Sequence, residues 1–300
     1  MSLADKKNKE PSLAFGGQAV MEGVMMRSKD NLVICVRQPN QEIVTKTEKL
    51  RSLSQKYKIL KIPFIRGILA LFETLYSGVK GIYFSANATF GDENEEVSLS
   101  PKEIAITVVF SFFLSVLIFS VTPFFLTGLL NLGQGVVFSI TEGIIRIGFL
   151  LGYLAVVSML KDFKRILQYH GAEHASINAY EAGVELNVEN VRTFSRFHPR
   201  CGTSFLLIVS VVSILFFSII SSPDYLTRLS YRIILIPAIS SVSYELLRIS
   251  DRYKKSIIVR ALVAPGIFLQ RFTTRQPDDG MIEVAIKALK EVETMQLTNE

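Results

Sequence analysis

The sequence predicts a mainly α-helical integral membrane protein with about four transmembrane helices. A small N-terminal antiparallel β meander and a cytoplasmic helical loop that carries a metal site complete the prediction. Three observations support it. Hydrophobic residues make up 49% of the 300 residues and mean hydropathy is +0.34, yet 20% of residues are charged. That mixture is too apolar for most soluble proteins and too charged for membrane spans alone. Apolar stretches near the ~20 residues needed to cross a bilayer recur along the chain. All three histidines fall within one short window between two of those stretches.

The elements follow in order. Residues 1–12 are polar and charged, without an apolar core of signal-peptide type, so insertion must come from internal segments. Short apolar runs then follow: Val20, Val24 and Met26; Leu32, Ile34 and Val36; Ile43 and Val44. "SKDN" and "QPNQ" separate them as turns, which predicts three short strands. Residues 1–58 thus form a cytoplasmic β lobe. Residues 59–90 have helical periodicity, with Pro63 suited to a first turn. Arg66, Glu73 and Lys80 recur every seven residues on one face of an otherwise apolar helix. Two readings stand: an interfacial helix or one packed against the spans, and a membrane helix with a buried ion network. The acidic stretch before Pro101 reads as a linker.

Four stretches, about 103–127, 136–160, 204–222 and 231–249, have the length and polarity of spans. They form two pairs, within 103–160 and 204–250. Lys and Arg crowd the segments before Ile104, between the second and third spans, and after the fourth. "LTGLLNLGQG" has none and "SSPDYLTR" has one. The positive-inside rule therefore places both termini and the central segment 161–203 in the cytoplasm of a multi-pass cell-membrane protein. Trp is absent, so an interfacial belt must use Tyr and Phe. Glu142 and Arg146, at i,i+4 spacing in the second span, read as a structural ion pair or as part of a transport path. The tail 251–300 is basic. "APGIFLQRFTTRQPDDG" holds two prolines and two glycines and cannot be one straight helix. From Asp278 an aspartate-capped amphipathic helix is expected. No P-loop, dinucleotide fingerprint or long repeat occurs, and no nucleic-acid partner is predicted.

The central segment "KDFKRILQYHGAEHASINAYEAG" reads as a helix stopped by Gly183. His170 and His174 then share one face, about 6 Å apart at their β-carbons, which lets two imidazoles hold one ion. His170-x-x-Glu173-His174 has the H-x-x-E-H pattern of inverted zincins, where the glutamate serves as general base. Downstream, His198 and Cys201 in "FHPRCG" form a zinc-knuckle turn with its first cysteine replaced by histidine. His170, His174, His198 and Cys201 would complete a tetrahedral zinc set. Two arrangements remain open. A closed four-ligand centre would be structural. A three-ligand centre would keep one position open, with Glu173 as the base. Glu245, a lone acid in an apolar segment, is a further ligand candidate or a partner for Arg248 or Arg252. Glu181 lies about 10 Å along the axis from His174 and suits a supporting place. Cys201 is also a candidate thiolate nucleophile beside His198. Cys35 and Cys201, distant in sequence, are expected to be reduced thiols.

With these motifs assembled, the chain resembles the YqhQ-like family of bacterial membrane proteins, which has no established function. The likeness runs through "GGQAVMEGVMMRS", "PFIRGILALFETL", "QYHGAEHASINAYE", "VENVRTFSRFHPRCGTSFLLIV", "SYELLR" and "PGIFLQRFTTRQPDD". It departs at Ala175, where the family pattern carries lysine. The resemblance implies a metal-dependent enzyme and supplies no substrate. The leading expectation is a zinc-dependent hydrolase, with peptidase as one form, whose site lies at the cytoplasmic membrane face and takes a cytoplasmic protein or peptide. A membrane scaffold or assembly factor with structural zinc is the alternative. A transporter or channel using Glu73, Glu142, Arg146 and Glu245 is the third, and it would require a homo-oligomer to line a pore.

Overall fold

The computed structural model describes residues 15–50, 53, 57–90, 101–133, 135–219, 224–253 and 256–298. The polar start, nearly all of the expected acidic linker, the end of the expected third span and Lys254–Lys255 lie outside the described residues. The β lobe is a four-stranded antiparallel meander in the order β1 (Gly16–Val20), β2 (Gly23–Arg27), β3 (Asn31–Arg37) and β4 (Ile43–Lys49). The first of the three expected strands is thus two. The chain reverses at Met21–Glu22, where Glu22 takes the left-handed φ of 48° and its carbonyl accepts from the Arg37 amide at 2.8 Å. A non-glycine residue there carries strain. Side-chain contacts offset it: Arg165 grips the Glu22 carboxylate with two nitrogens, and the Tyr169 hydroxyl lies 3.3 Å away.

Both faces of the sheet are covered, so β2 and β3 lack the apolar–polar alternation of a one-sided sheet. Val24, Met26, Val33 and Cys35 face one core, built from Tyr169 and Ala172 and from Met281 to Val292. Val20, Met25, Leu32, Ile34 and Val36 face the other, against Phe84 and Ala88. The second face is closed by α1 (Ile65–Phe90), which begins two residues after Pro63 rather than containing it. Its buried residues are small: Gly67, Ser77, Gly78, Gly81 and Ser85. They let α1 approach the sheet closely; a β-carbon on Gly78 would lie 2.7 Å from Gln18 Oε1. The seven-residue stripe pairs with other elements. Glu73 meets Arg27 at 3.4 Å, Lys80 meets Glu48 at 3.0 Å, and Arg66 meets Glu245.

Among the described residues, three helical stretches are long and apolar enough to cross a membrane: Ala105–Leu129, Val136–Met159 and Gly202–Ile219. The first comprises α2 (Pro101–Val116), a π-helical turn at Leu117–Val121 and α3 (Thr122–Leu129); the second is α4 and the third α7. A fourth is made if α8 (Tyr225–Ile234) and the following helix α9 (Ile236–Arg252), bent by 46°, count as one span. Pro237, in the first turn of α9, fits that break. The i,i+4 pair of α4 gains a partner that the sequence does not signal. Arg232 of α8 donates to Glu142 at 3.0 and 3.1 Å beside Arg146, and all three are buried.

Between the spans runs α5 (Lys161–Glu181), and a single turn, α6 (Val188–Arg192), follows it. α5 ends as expected. Gly183 takes φ +70°, its amide donates to Tyr180 O at 2.9 Å, and Val184 donates to Ala179 O at 3.3 Å. This is a Schellman cap, open to glycine because the position is left-handed. α10 (Ile257–Thr273) carries Pro265 inside it, and the chain breaks at Thr274–Asp278 instead. α11 (Asp279–Thr298) is capped by Asp278, whose Oδ1 accepts from Met281 N at 2.9 Å.

Candidate metal centre

The site is built where α5 meets the 193–201 loop and the end of α10. His170 and His174 face the same side of α5, with ring centroids 4.4 Å apart. Each Nδ1 is fixed by a backbone carbonyl. His170 Nδ1 lies 2.7 Å from Thr273 O, and His174 Nδ1 lies 2.7 Å from Arg196 O. A carbonyl only accepts, so each Nδ1 carries the proton and each Nε2 presents a lone pair. Those lone pairs converge on one thiol: Cys201 Sγ lies 3.3 Å from His170 Nε2. The donor atoms of His170, His174 and Cys201 all lie within 4.8 Å of one another, the one such group among the described residues. Imidazoles oriented from behind by backbone acceptors are the usual support of a metal-ligating pair.

Close packing places those acceptors. Gly171 lets the 274–278 segment cross α5; a β-carbon there would stand 2.1 Å from Arg275 O. Arg275 N then bonds Leu167 O at 2.8 Å, which sets Thr273 O on His170. The loop is held by two amides that sequence reasoning missed. Asn178 donates to Ser195 O and Phe197 O at 2.7 and 3.1 Å. Gln270, fully buried, accepts from His198 N at 2.8 Å and donates to His198 O at 2.7 Å. Asn178 sits one turn beyond His174, a signal the spacing contained. Gln270, in the apolar run "GIFLQRF", was a polar residue at a core position. Such a residue needs partners.

The knuckle forms. Cys201 N donates to His198 O at 3.3 Å, and Thr203 N points at Cys201 Sγ at 3.5 Å. His198 does not join the donor group. Its Nδ1 accepts from Arg200 N at 3.3 Å, so Nε2 carries the proton; buried, that atom has no hydrogen-bond partner among the described residues. Glu181 Oε1 is 3.8 Å from it and pairs with Arg200. Glu245 is elsewhere. Its carboxylate accepts from Arg66 Nε at 2.7 Å and lies outside the residues that line the site. The cysteines are free and buried, and burial pushes the Cys35 thiol up.

Glu173 is buried beside the donor group, and its Oε2 has no hydrogen-bond partner among the described residues. Burial pushes its carboxyl up to about 7, against the opposing effects of His170 and of the Gly17 amide that bonds it. Gly17 packs against it: a β-carbon there would lie 2.7 Å from Glu173 Cδ and Oε1. Burial also holds His174 below its ordinary range and so keeps it neutral. These residues line a cavity of about 330 Å³ that Phe15, Gly16, Arg200 and Gly202 complete.

Residues 62–295 match the family described as "Protein of unknown function (DUF1385)". The chain is 35% identical over 313 residues to the uncharacterized protein YqhQ of Bacillus subtilis (strain 168). That alignment covers 98% of this chain and 96% of that protein. No solved structure matches it.

Proposed function

The chain belongs to the DUF1385, YqhQ-like family of unknown function, and from the site itself we propose an integral membrane, zinc-dependent hydrolase working at the cytoplasmic face. One observation carries the reading: three donor atoms converge beside a buried, unpartnered carboxylate oxygen in a cavity with room for a substrate group. Two imidazoles and one thiolate suit zinc and leave a fourth position free. A bound divalent ion would supply Lewis-acid polarisation and make nearby water more acidic.

The chain's own groups supply the rest. His170, His174 and Cys201 hold the ion, and the Thr273 and Arg196 carbonyls keep both imidazoles in the ligating tautomer. Glu173, with a carboxyl near neutrality, takes a proton from water at Oε2 and returns it to the leaving group. His198 is a donor rather than a ligand. Its Nε2–H, aided by Arg200, faces negative charge as it develops on the substrate. Glu245 anchors α1 through Arg66 and has no part in the chemistry.

Metal analysis of the purified protein tests this. His170→Ala, His174→Ala and Cys201→Ala are expected to lose bound zinc, while Glu173→Gln, His198→Gln and Glu245→Gln keep it. Glu173→Gln should also lose hydrolysis of ester, amide and phosphoester substrates by roughly 10²–10⁴-fold. If His198→Gln lost zinc as completely as His170→Ala, the centre would be a closed four-ligand one, and the scaffold alternative would replace the hydrolase.

A further inference from the structure

A second, larger cavity adjoins the metal site. It is an apolar groove of about 510 Å³ along α10, lined by Pro199, Arg200, Arg260, Ala261, Ala264 and Ile267 among others. Arg200 lines both cavities, so one wall separates them. That wall is the knuckle loop itself, one residue before the ligand Cys201. The two spaces differ in chemistry: histidines, a glutamate and a thiol on one side, aliphatic side chains on the other. Ser250, at the end of the bent helix pair, also lines the groove. Beside it Ile257, Ile258 and Leu262 stand 81%, 68% and 73% exposed, with Arg260 among them. An apolar face carrying basic residues is the signature of a helix lying in the bilayer interface. Two basic residues line the groove: Arg200, which pairs with Glu181, and Arg260.

We propose that the substrate of the metal site is an anionic amphiphile. Its head group enters the His170/His174/Cys201 cavity past Arg200, and its hydrocarbon chain lies in the groove along α10. This rests on the metal-site reading above. A polar cavity beside an apolar groove, with a cation between them, matches a molecule that is charged at one end and aliphatic at the other. Its acyl chain moves from the bilayer into the groove without crossing water, so most of its apolar surface stays buried throughout. The head group is drawn to the basic rim, as anionic head groups are to basic pockets on the cytoplasmic side.

Cobalt-loaded full-length protein in nanodiscs of neutral lipid tests the inference, because the visible spectrum of cobalt reports a ligand arriving at the site. Decyl phosphate is expected to shift that spectrum, and methyl phosphate to do so only at much higher concentration. Ala261→Phe and Ala264→Phe fill the groove at exposed positions. Each should bind cobalt normally yet need about tenfold more decyl phosphate, the effect of displacing roughly two buried methylenes. Cobalt uptake is itself the check that these variants are folded. A spectrum that decyl phosphate leaves unmoved, that the groove variants titrate like wild type, or that only a soluble peptide shifts, overturns the amphiphile while the metal centre stands. Failure of wild-type protein to bind cobalt or zinc would overturn the metal centre, and this inference with it.

Discussion

At the scale of single residues, Glu173 links stability to chemistry. Burial lifts its carboxyl from an ordinary value of 4.5 to about 7. Between those two values the folded protein binds a proton that the unfolded chain has released. Stability from this group is therefore full below about pH 4.5 and falls as pH rises to about 7. The span corresponds to about 3 kcal/mol at most. Thermal unfolding of metal-free protein across that range should show wild type losing stability relative to Glu173→Gln. Parallel pH profiles would mean that Glu173 is not held in the environment described here. A group that gives up its proton near neutrality is also the group a general base needs to be, so the same burial that costs stability prepares the chemistry.

At the scale of elements, the site depends on the 274–278 segment approaching α5 as closely as backbones allow. Gly171 is where they touch. Gly171→Ala would force Arg275 O away from α5 and take Thr273 O off His170. The expected cost is about 1–3 kcal/mol of overpacking, with zinc affinity lowered roughly 10–100-fold, read by unfolding and by chelator competition. Unchanged zinc affinity would show that His170 needs no such support. The same elements show what the sequence made legible. α5, its Gly183 stop, the facing histidines and the Asp278 cap were readable because each is a local rule of spacing or cap chemistry. The Met21–Glu22 reversal was not, because its left-handed glutamate is stabilised by Arg165, far away in sequence. The heptad stripe on α1 was visible, but its partners Arg27, Glu48 and Glu245 lie on other elements. His198 shows the limit most clearly. Its spacing to Cys201 was that of a ligand pair, while in the structure its Nδ1 accepts from Arg200 N and it stands outside the three-donor group.

At the scale of the whole molecule, one core fixes how many times the chain can cross a membrane. Residues of the N-terminal sheet, of α5 with the segment after it, and of α11 pack together: Val24 and Cys35, Tyr169 and Val191, Met281 and Val292 belong to one cluster. A single apolar core cannot straddle a bilayer, so these three parts share one side. The chain must then cross an even number of times between each successive pair. Between sheet and α5 lie the two spans Ala105–Leu129 and Val136–Met159. Evenness predicts that α1 does not cross; Gly78 packs it on the sheet and Gly67 on Ser241 of α9. Between α5 and α11 lies Gly202–Ile219, which needs a return, and the bent pair α8–α9 is the segment able to make it. Evenness predicts that the 46° bend is a break within a crossing. The excess of Lys and Arg in the shared parts then predicts the cytoplasm for that side. Cysteine labelling in intact cells tests both steps, since native Cys35 and Cys201 are buried. Asn131→Cys, exposed between α3 and α4, should react with a membrane-impermeant maleimide from outside. Asn40→Cys, exposed on the sheet, should react only after the membrane is permeabilised. Labelling of both from the same side would break the four-crossing arrangement and with it the cytoplasmic placement of the metal centre.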